Sequence, residues 1–330
     1  MKLASFGDMA QTWSLRRQGT SLNQQLVRLT EELSTGKTAD LTRHLGGDYR
    51  YLSDIERSMV VNNAYENAAS EAQGFSAAMQ AALGSIQGEV EQLTADLMGA
   101  EQSTAESRKV VAENAEVQFA QIISSLNSHF AGRALFAGDA TPAQALADVE
   151  TILQSVRAEV AGKTTAEDIR AAVETWFDSP SGFETSAYVG SQENLTPFRL
   201  GGQDRVHLDL RADAAELRAV MAEVAITVMS AEVSDPLVQI SLQKGSAKGL
   251  LNAQGGLTAL RSDLGFAEAR IEEIGTRLAS ERVSLSYAKE ALLGVDQFET
   301  ATNIENVQFQ LEALYTVTSR LSGLSLVNFL

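Results

Sequence analysis

The sequence contains no cysteine among its 330 residues. Disulfides, thiolate zinc sites and cysteine nucleophiles are therefore excluded. Basic residues are scarce as well, because 26 lysines and arginines stand against 43 aspartates and glutamates and leave a formal net charge of −17. Nucleic acid and anionic membranes need a basic surface, so neither is expected as a partner.

Long apolar runs are also missing. No segment approaches the run of about 18 apolar residues that spans a bilayer, and the N-terminal stretch MKLASFGDMAQTWSLRRQG lacks the apolar centre of a cleaved secretory signal. We therefore expect no membrane insertion, and a protein that leaves the cell would need another export route. The apolar fraction of 44% is nevertheless enough for a folded core.

Proline is confined to the middle of the chain. All four prolines lie between residues 142 and 236, so both ends are free of the strongest helix breaker. Leucines recur near the N-terminus at alternating steps typical of a helix packed along another helix, namely Leu15, Leu22, Leu26, Leu29 and Leu33. The N-terminal end is therefore predicted to be a long helix with one apolar seam.

Similar seams follow along both ends of the chain. One runs through Met79, Leu83, Ile86, Val90, Leu93 and Leu97 and resumes at Phe119, Ile122, Leu126 and Phe130. The C-terminal end carries Leu264, Ile271, Ile274 and Leu278, and then Val307, Leu311, Leu314, Leu321 and Leu324. We predict that the N- and C-terminal seams pack against one another.

The middle of the chain has a different texture. Short helices are predicted to begin near Thr141 and Thr165. The stretch RVHLDL at 205–210 alternates polar and apolar residues after a turn at Gly201 and Gly202, which indicates a small hairpin. The predicted fold is mainly α: a long antiparallel, coiled-coil-like helical rod from both termini with a small inserted α+β domain that has its own core.

Catalytic and ligand-binding patterns are absent from the sequence. GKT occurs at 36–38 and 162–164, but Glu31 and Arg157 stand where a phosphate loop needs glycine. The histidines His44, His129 and His207 are too far apart for a recognisable metal-ligand pattern. No enzyme, cofactor or metal site is therefore expected.

Several short words in the sequence carry a resemblance. LSTGK at 33–37, ALFAG at 134–138 and LSLVNFL at 324–330 resemble the flagellin family. Within that family they are more similar to the proteins that join hook to filament than to the filament flagellins. The chain departs from the family pattern after Lys37, where TADLTRHLGGDYRYLSDIE replaces the usual sequence.

The resemblance implies a structural component of the bacterial flagellum that is required for motility. It also implies export through the flagellar type III apparatus without a cleaved signal peptide, and an extracellular location. The implied partners are copies of the chain in a ring, neighbouring hook-associated and flagellin subunits, and a cytoplasmic export chaperone at the C-terminal helix. A short filament flagellin and an intracellular coiled-coil adaptor are the alternatives.

The resemblance also implies domain limits. These are an N-terminal polymerisation helix at 1–35, the two halves of the rod at 36–140 and 237–306, the inserted domain at 141–236, and a C-terminal polymerisation helix at 307–330. Gly36, Gly46 and Gly47 would form the turn between an inner and an outer helical layer.

The expected assembly interface lies on the two polymerisation helices, where apolar seams would be buried against neighbouring subunits. The chain closes on an apolar tip, and we expect an outside partner to cover it. The interface residues are Leu22, Leu26, Leu29, Leu33, Leu311, Leu314, Leu321, Leu324, Leu326, Phe329 and Leu330.

Overall fold

A computed structural model describes residues 2–100 and 104–327, with side chains described from residue 9 to residue 320 within those ranges. The helices and strands, in chain order, are α1 Lys2–Thr35, α2 Leu41–His44, α3 Arg50–Ala100, α4 Ala105–Leu126, β1 His129–Phe130, β2 Arg133–Ala134, α5 Val149–Val160, α6 Ala166–Asp178, α7 Phe183–Ser186, β3 Phe198–Arg199, β4 Arg205–Val206, α8 Ala215–Ser230, α9 Pro236–Leu293 and α10 Gln297–Val327. The predicted mainly α fold is confirmed. None of the described helices is long and apolar enough to cross a membrane.

The chain divides into two compact units, residues 1–63 with 280–330 and residues 64–279. In the first unit, α1 packs along α10. The Val295 amide donates to the Gly36 carbonyl at 3.0 Å, and Gly19 lies beside the side chain of Leu314. Since one partner runs forward as the other runs back, the two helices are antiparallel.

The second unit has one continuous apolar core. The same buried cluster includes Phe75 of α3, Phe119 of α4, Phe177 of α6 and Val224 of α8. Helix α8 packs on both α4 and α6. The expectation of a separate core for residues 141–236 is therefore wrong, because those residues share their core with α3, α4 and α9.

Side-chain caps decide where the short helices begin. Thr165 caps α6 as predicted, because its Oγ1 accepts a hydrogen bond from the Asp168 amide at 3.1 Å. The expected cap at Thr141 is wrong, since α5 begins after Asp148, whose carboxylate accepts from the Thr151 amide at 2.9 Å. Asp148 is bonded by both the amide and the hydroxyl of Thr151, which lowers the pKa of its carboxyl group.

The predicted helical stripe that includes Phe130 ends earlier than expected. Helix α4 stops at Leu126, and Phe130 lies in β1, which pairs with β2 across a tight turn at Ala131 and Gly132. Both turn residues have positive φ, 50° and 79°. This geometry is that of a two-residue hairpin loop, for which the helical spacing of apolar residues gives no signal.

The second hairpin is confirmed, but its paired strands are shorter than the alternating stretch at 205–210. Phe198 pairs with Val206 and Arg199 with Arg205, and the ladder then ends. The turn between the strands is held on α9, because the Asp204 carboxylate accepts hydrogen bonds from Arg270 and Arg277.

A half-buried ion pair joins three helices of the second unit. Arg170 of α6 donates to both carboxylate oxygens of Glu223 on α8, at 2.8 and 2.9 Å. Gly245 and Gly249 of α9 leave the space that this pair fills, because an added Cβ would lie 2.6 Å from Arg170 and 1.9 Å from Glu223. Burial raises the pKa of Glu223, and the hydrogen bonds from Arg170 oppose that rise.

Candidate functional site: the paired terminal helices

The seam between α1 and α10 is narrow and apolar. Its buried members among the described residues come from both helices: Leu22, Leu29, Val307, Leu311 and Leu314. Leu15, Leu26 and Ile304 pack at its margin and stay partly exposed. The seven-residue spacing of Leu22 and Leu29, and of Val307 and Leu314, places each pair on one side of its helix, as the leucine pattern predicts.

The residues predicted to contact neighbouring subunits differ in their burial within the chain. Leu22, Leu29, Leu311 and Leu314 are buried against one another within the chain, and Leu26 lies beside them, so their buried faces are already covered. Leu33 is half-buried and is not part of that cluster. The side chains of Leu321, Leu324 and Leu326, and the whole of Phe329 and Leu330, lie outside the described residues.

The outward face of α10 carries aromatic side chains that water reaches. Phe298 is 84% exposed and Phe309 is 72% exposed. They are eleven residues apart, which is about three turns, so they share one face of the helix. Phe309 lies two residues from both Val307 and Leu311, about 200° around the helix from each. The face opposite the seam therefore carries two exposed aromatic side chains, set among polar residues such as Thr302 and Glu305.

The outward face of α1 has the same character. Trp13 is 76% exposed, Val27 is 67% exposed and Met9 is 58% exposed. Trp13 stands two residues before Leu15, which places it about 200° from the seam. Both helices of the pair thus carry apolar side chains on two faces, and only one of those faces has a partner in the described chain.

A clasp, formed by residues 36–38 and 292–295, joins the C-terminal end of α1 to the segment just before α10. The Thr38 amide donates to the Leu293 carbonyl at 2.9 Å, and Val295 donates back to Gly36. His44 Nε2 lies 2.9 Å from the Leu292 carbonyl, one of the groups that the end of α9 leaves without a helical partner. The clasp therefore binds the end of α1 to the break between α9 and α10.

Three glycines in the segment between α1 and α3 have a left-handed backbone conformation. Gly36, Gly46 and Gly47 have φ of 69°, 60° and 83°. Only glycine adopts this left-handed region without strain, so side chains at these positions would disfavour the turn. Whether the turn separates two layers of an assembly stays a prediction.

Two exposed ion pairs lie beside the clasp. Lys37 Nζ lies 3.0 Å from a carboxylate oxygen of Glu290, and Lys289 Nζ lies 2.8 Å from Glu56. All four side chains are substantially exposed, so these pairs contribute little stability and mainly set orientation. Among the described residues, no group of three or more metal-ligating side chains is present.

The exposed aromatic residues were missed in the sequence, although a signal for them exists. The leucine spacing predicts the seam and gives no information about the residues on the opposite face. The spacing of eleven between Phe298 and Phe309 indicates that both aromatic residues lie on one side of α10.

Comparison with known proteins places this geometry in a family context. Residues 249–330 match the family model of the bacterial flagellin C-terminal helical region. No curated protein matches the chain. The predicted resemblance to the flagellin family is thus confirmed over the segment that contains most of α9 and all of α10.

Two solved structures resemble the fold. FlgL of Bacillus cereus is 13% identical with a TM-score of 0.54, and the match covers 72% of this chain and 100% of that one. A Vibrio parahaemolyticus protein described as a flagellar hook-associated protein is 11% identical with a TM-score of 0.52, covering 73% of this chain and 95% of that one. At these identities the likeness shows a shared fold.

Proposed function

We propose that this chain is a structural subunit of the bacterial flagellum that joins hook to filament by axial assembly. The observation that carries the proposal is the pair of terminal helices whose outward faces expose Trp13, Phe298 and Phe309. The flagellin C-terminal match and the fold shared with hook-associated proteins support it. The role is structural and not enzymatic.

Assembly would use the exposed faces and leave the seam intact. Full burial of a side chain such as phenylalanine contributes about 1.5–3 kcal/mol, so each one covered by a neighbour would add an amount of that order before ordering costs. A few such contacts suffice for a stable joint. The proposed partners are copies of the chain in a ring and the hook-associated and flagellin subunits on either side.

Before assembly the same faces need protection. An exposed apolar helix face is an aggregation hazard at cellular concentrations. We accordingly assign the outward face of α10 to a cytoplasmic export chaperone, which would release the subunit to the flagellar type III channel. The absence of cysteine is consistent with passage of an unfolded chain, since no disulfide has to be avoided.

Deletion of the gene tests the proposal. Electron microscopy of the cells and medium is expected to show hooks without filaments and unpolymerised flagellin in the medium. Normal filaments on the deletion strain would contradict the proposal. Appearance of the chain in the medium of a strain that lacks the flagellar export apparatus would contradict the export route, and retention in the cytoplasm of an intact strain would favour an adaptor.

A further inference from the structure

The strand pattern of the second hairpin extends beyond the paired strand. In residues 205–210, Val206 and Leu208 are buried and Leu210 is half-buried, whereas the intervening residues are exposed. This alternation is that of a strand six residues long. The ladder with β3 nevertheless ends at Val206, so the last four residues have the side-chain pattern of a strand without a neighbour.

The backbone of these four residues is also unpaired. In the part of the chain that the structure describes, the N–H and C=O groups of residues 207–210 have no protein hydrogen-bond partner. Leu208 is only 4% exposed, and backbone groups of covered residues normally find partners. The residues just before β3 do not supply them, since Pro197 has no N–H to donate and the Thr196 hydroxyl donates to Asp139 at 3.2 Å.

The open segment is held in a fixed place along α9. Asp204, in the turn just before β4, accepts from Arg270 and Arg277 of that helix. Between residues 207–214 and residues 260–267 of α9 lies a groove of about 600 Å³. Its apolar lining includes Leu208, Leu260 and Leu264.

The rim of the groove is acidic. Arg211 is held by the Asp213 carboxylate at 2.8–2.9 Å and by the Gln192 carbonyl at 2.6 Å, so its charge is already matched. The exposed Asp263 carboxylate has no ion-pair or hydrogen-bond partner among the described residues. Asp209 has only His207, at 3.6 Å and with both side chains about half exposed. An occupant with basic side chains fits this rim.

We propose that residues 207–210 form an open strand edge that binds an extended, basic peptide segment of a partner protein. Backbone pairing would supply the missing hydrogen bonds, and alternate apolar side chains would enter the groove beside Leu260 and Leu264. Lysine or arginine side chains would face Asp209 and Asp263. A second copy of the chain is a poor occupant, because its net charge is −17.

Peptide titration of the ¹⁵N-labelled full chain tests the proposal. The probe is an acetylated and amidated Lys-Val-Lys-Val-Lys peptide, and two controls are its glutamate analogue and a version N-methylated at alternate residues. The amide signals of residues 207–210 are expected to shift saturably at about 1 mM of the lysine peptide. Both controls should bind at least about tenfold more weakly, since one repels the rim and the other cannot pair along the edge.

Matched substitutions separate the edge from general charge attraction. Asp209→Lys with Asp263→Lys is expected to reduce binding of the lysine peptide about tenfold, whereas Glu272→Lys, an exposed change on the same helix, should leave it unchanged. The proposal is overturned if the lysine peptide gives no saturable shift at residues 207–210, or if the N-methylated peptide binds equally well. The proposal is also overturned if those signals shift with protein concentration alone, because a second copy of the chain would then be the occupant of the edge.

Discussion

Two glycines on α9 differ in what surrounds them, and this difference is the sharpest feature at the scale of single residues. Gly249 faces the ion pair between Arg170 and Glu223, and a Cβ there would lie 1.9 Å from a Glu223 oxygen. Gly255, on the same helix, has nothing within 4 Å of the corresponding position. A side chain at position 249 would displace the Glu223 carboxylate, whereas one at position 255 would displace nothing.

The pair gives a matched prediction. Gly249→Ala is expected to lower the free energy of unfolding by about 1.5–3 kcal/mol, because Glu223 must move away from the guanidinium that it accepts from. Gly255→Ala should raise it by about 0.5–1 kcal/mol, since alanine is the better helix former. Urea denaturation of the two variants measures both values. Equal stabilisation by both would show that the ion pair adapts without cost.

Tyr188 gives a prediction for alkaline solution. Burial raises the pKa of Tyr188 to about 12, and its hydroxyl donates to the Ser191 carbonyl at 2.7 Å. A raised pKa means that the folded chain holds this proton more tightly, so the associated stability is complete below about pH 10 and is lost as pH rises towards 12. Between about pH 10 and pH 12, the free energy of unfolding of Tyr188→Phe should therefore fall by about 2–3 kcal/mol less than that of the parent. Curves of identical slope for the variant and the parent would exclude this tyrosine as the titrating group.

At the scale of helices, the two faces of α10 have separate roles. Leu311 is 7% exposed in the seam, whereas Phe309 on the opposite face is 72% exposed. The heptad spacing made the seam predictable from the sequence, because a regular helix repeats its contacts. The break between α9, which ends at Leu293, and α10, which begins at Gln297, is not indicated by the leucine spacing. Its hydrogen bonds to residues 36–38 are distant in sequence, and local spacing cannot report them.

The two faces predict opposite results for one kind of substitution. Leu311→Asp should reduce helical circular dichroism and thermal stability of the isolated chain, because a charge would enter the seam with α1. Phe309→Asp should leave both unchanged and abolish motility of cells, since a neighbouring subunit would have to desolvate the carboxylate. Phe266→Asp on α9, at the same 72% exposure, is the control and should retain motility. Normal motility with Phe309→Asp would remove that face from the assembly interface.

At the scale of the whole molecule, the composition indicates the functional class of the protein but not the position of its core. The lack of cysteine excludes thiol chemistry, and the excess of acidic residues predicts that nucleic acid is not a partner. The change in texture at residues 141–236 suggested an independent core, but Val224 and Phe177 share one cluster with Phe75 and Phe119. Apolar residues in a sequence predict that a segment is buried. Which distant helix the segment packs against is shown only by the fold.

The shared core predicts the outcome of a large deletion. Replacement of residues 141–236 by a short Gly-Ser linker is expected to abolish the cooperative melting of residues 64–279, because the faces of α4 that pack on α8 would be left in water. Differential scanning calorimetry of the deletion chain measures this. A sharp transition retained at the parent temperature would show that α3, α4 and α9 have a sufficient core without the middle of the chain.

The narrow seam between α1 and α10 has a consequence for how the chain opens. Only five side chains are buried in it among the described residues, whereas the core of residues 64–279 is several times larger. The amide hydrogens of α1 and α10 should therefore exchange with solvent through local separation of the two helices, while those of α8 should wait for global unfolding. The terminal helices can thus part and re-pair while the rest of the subunit stays folded.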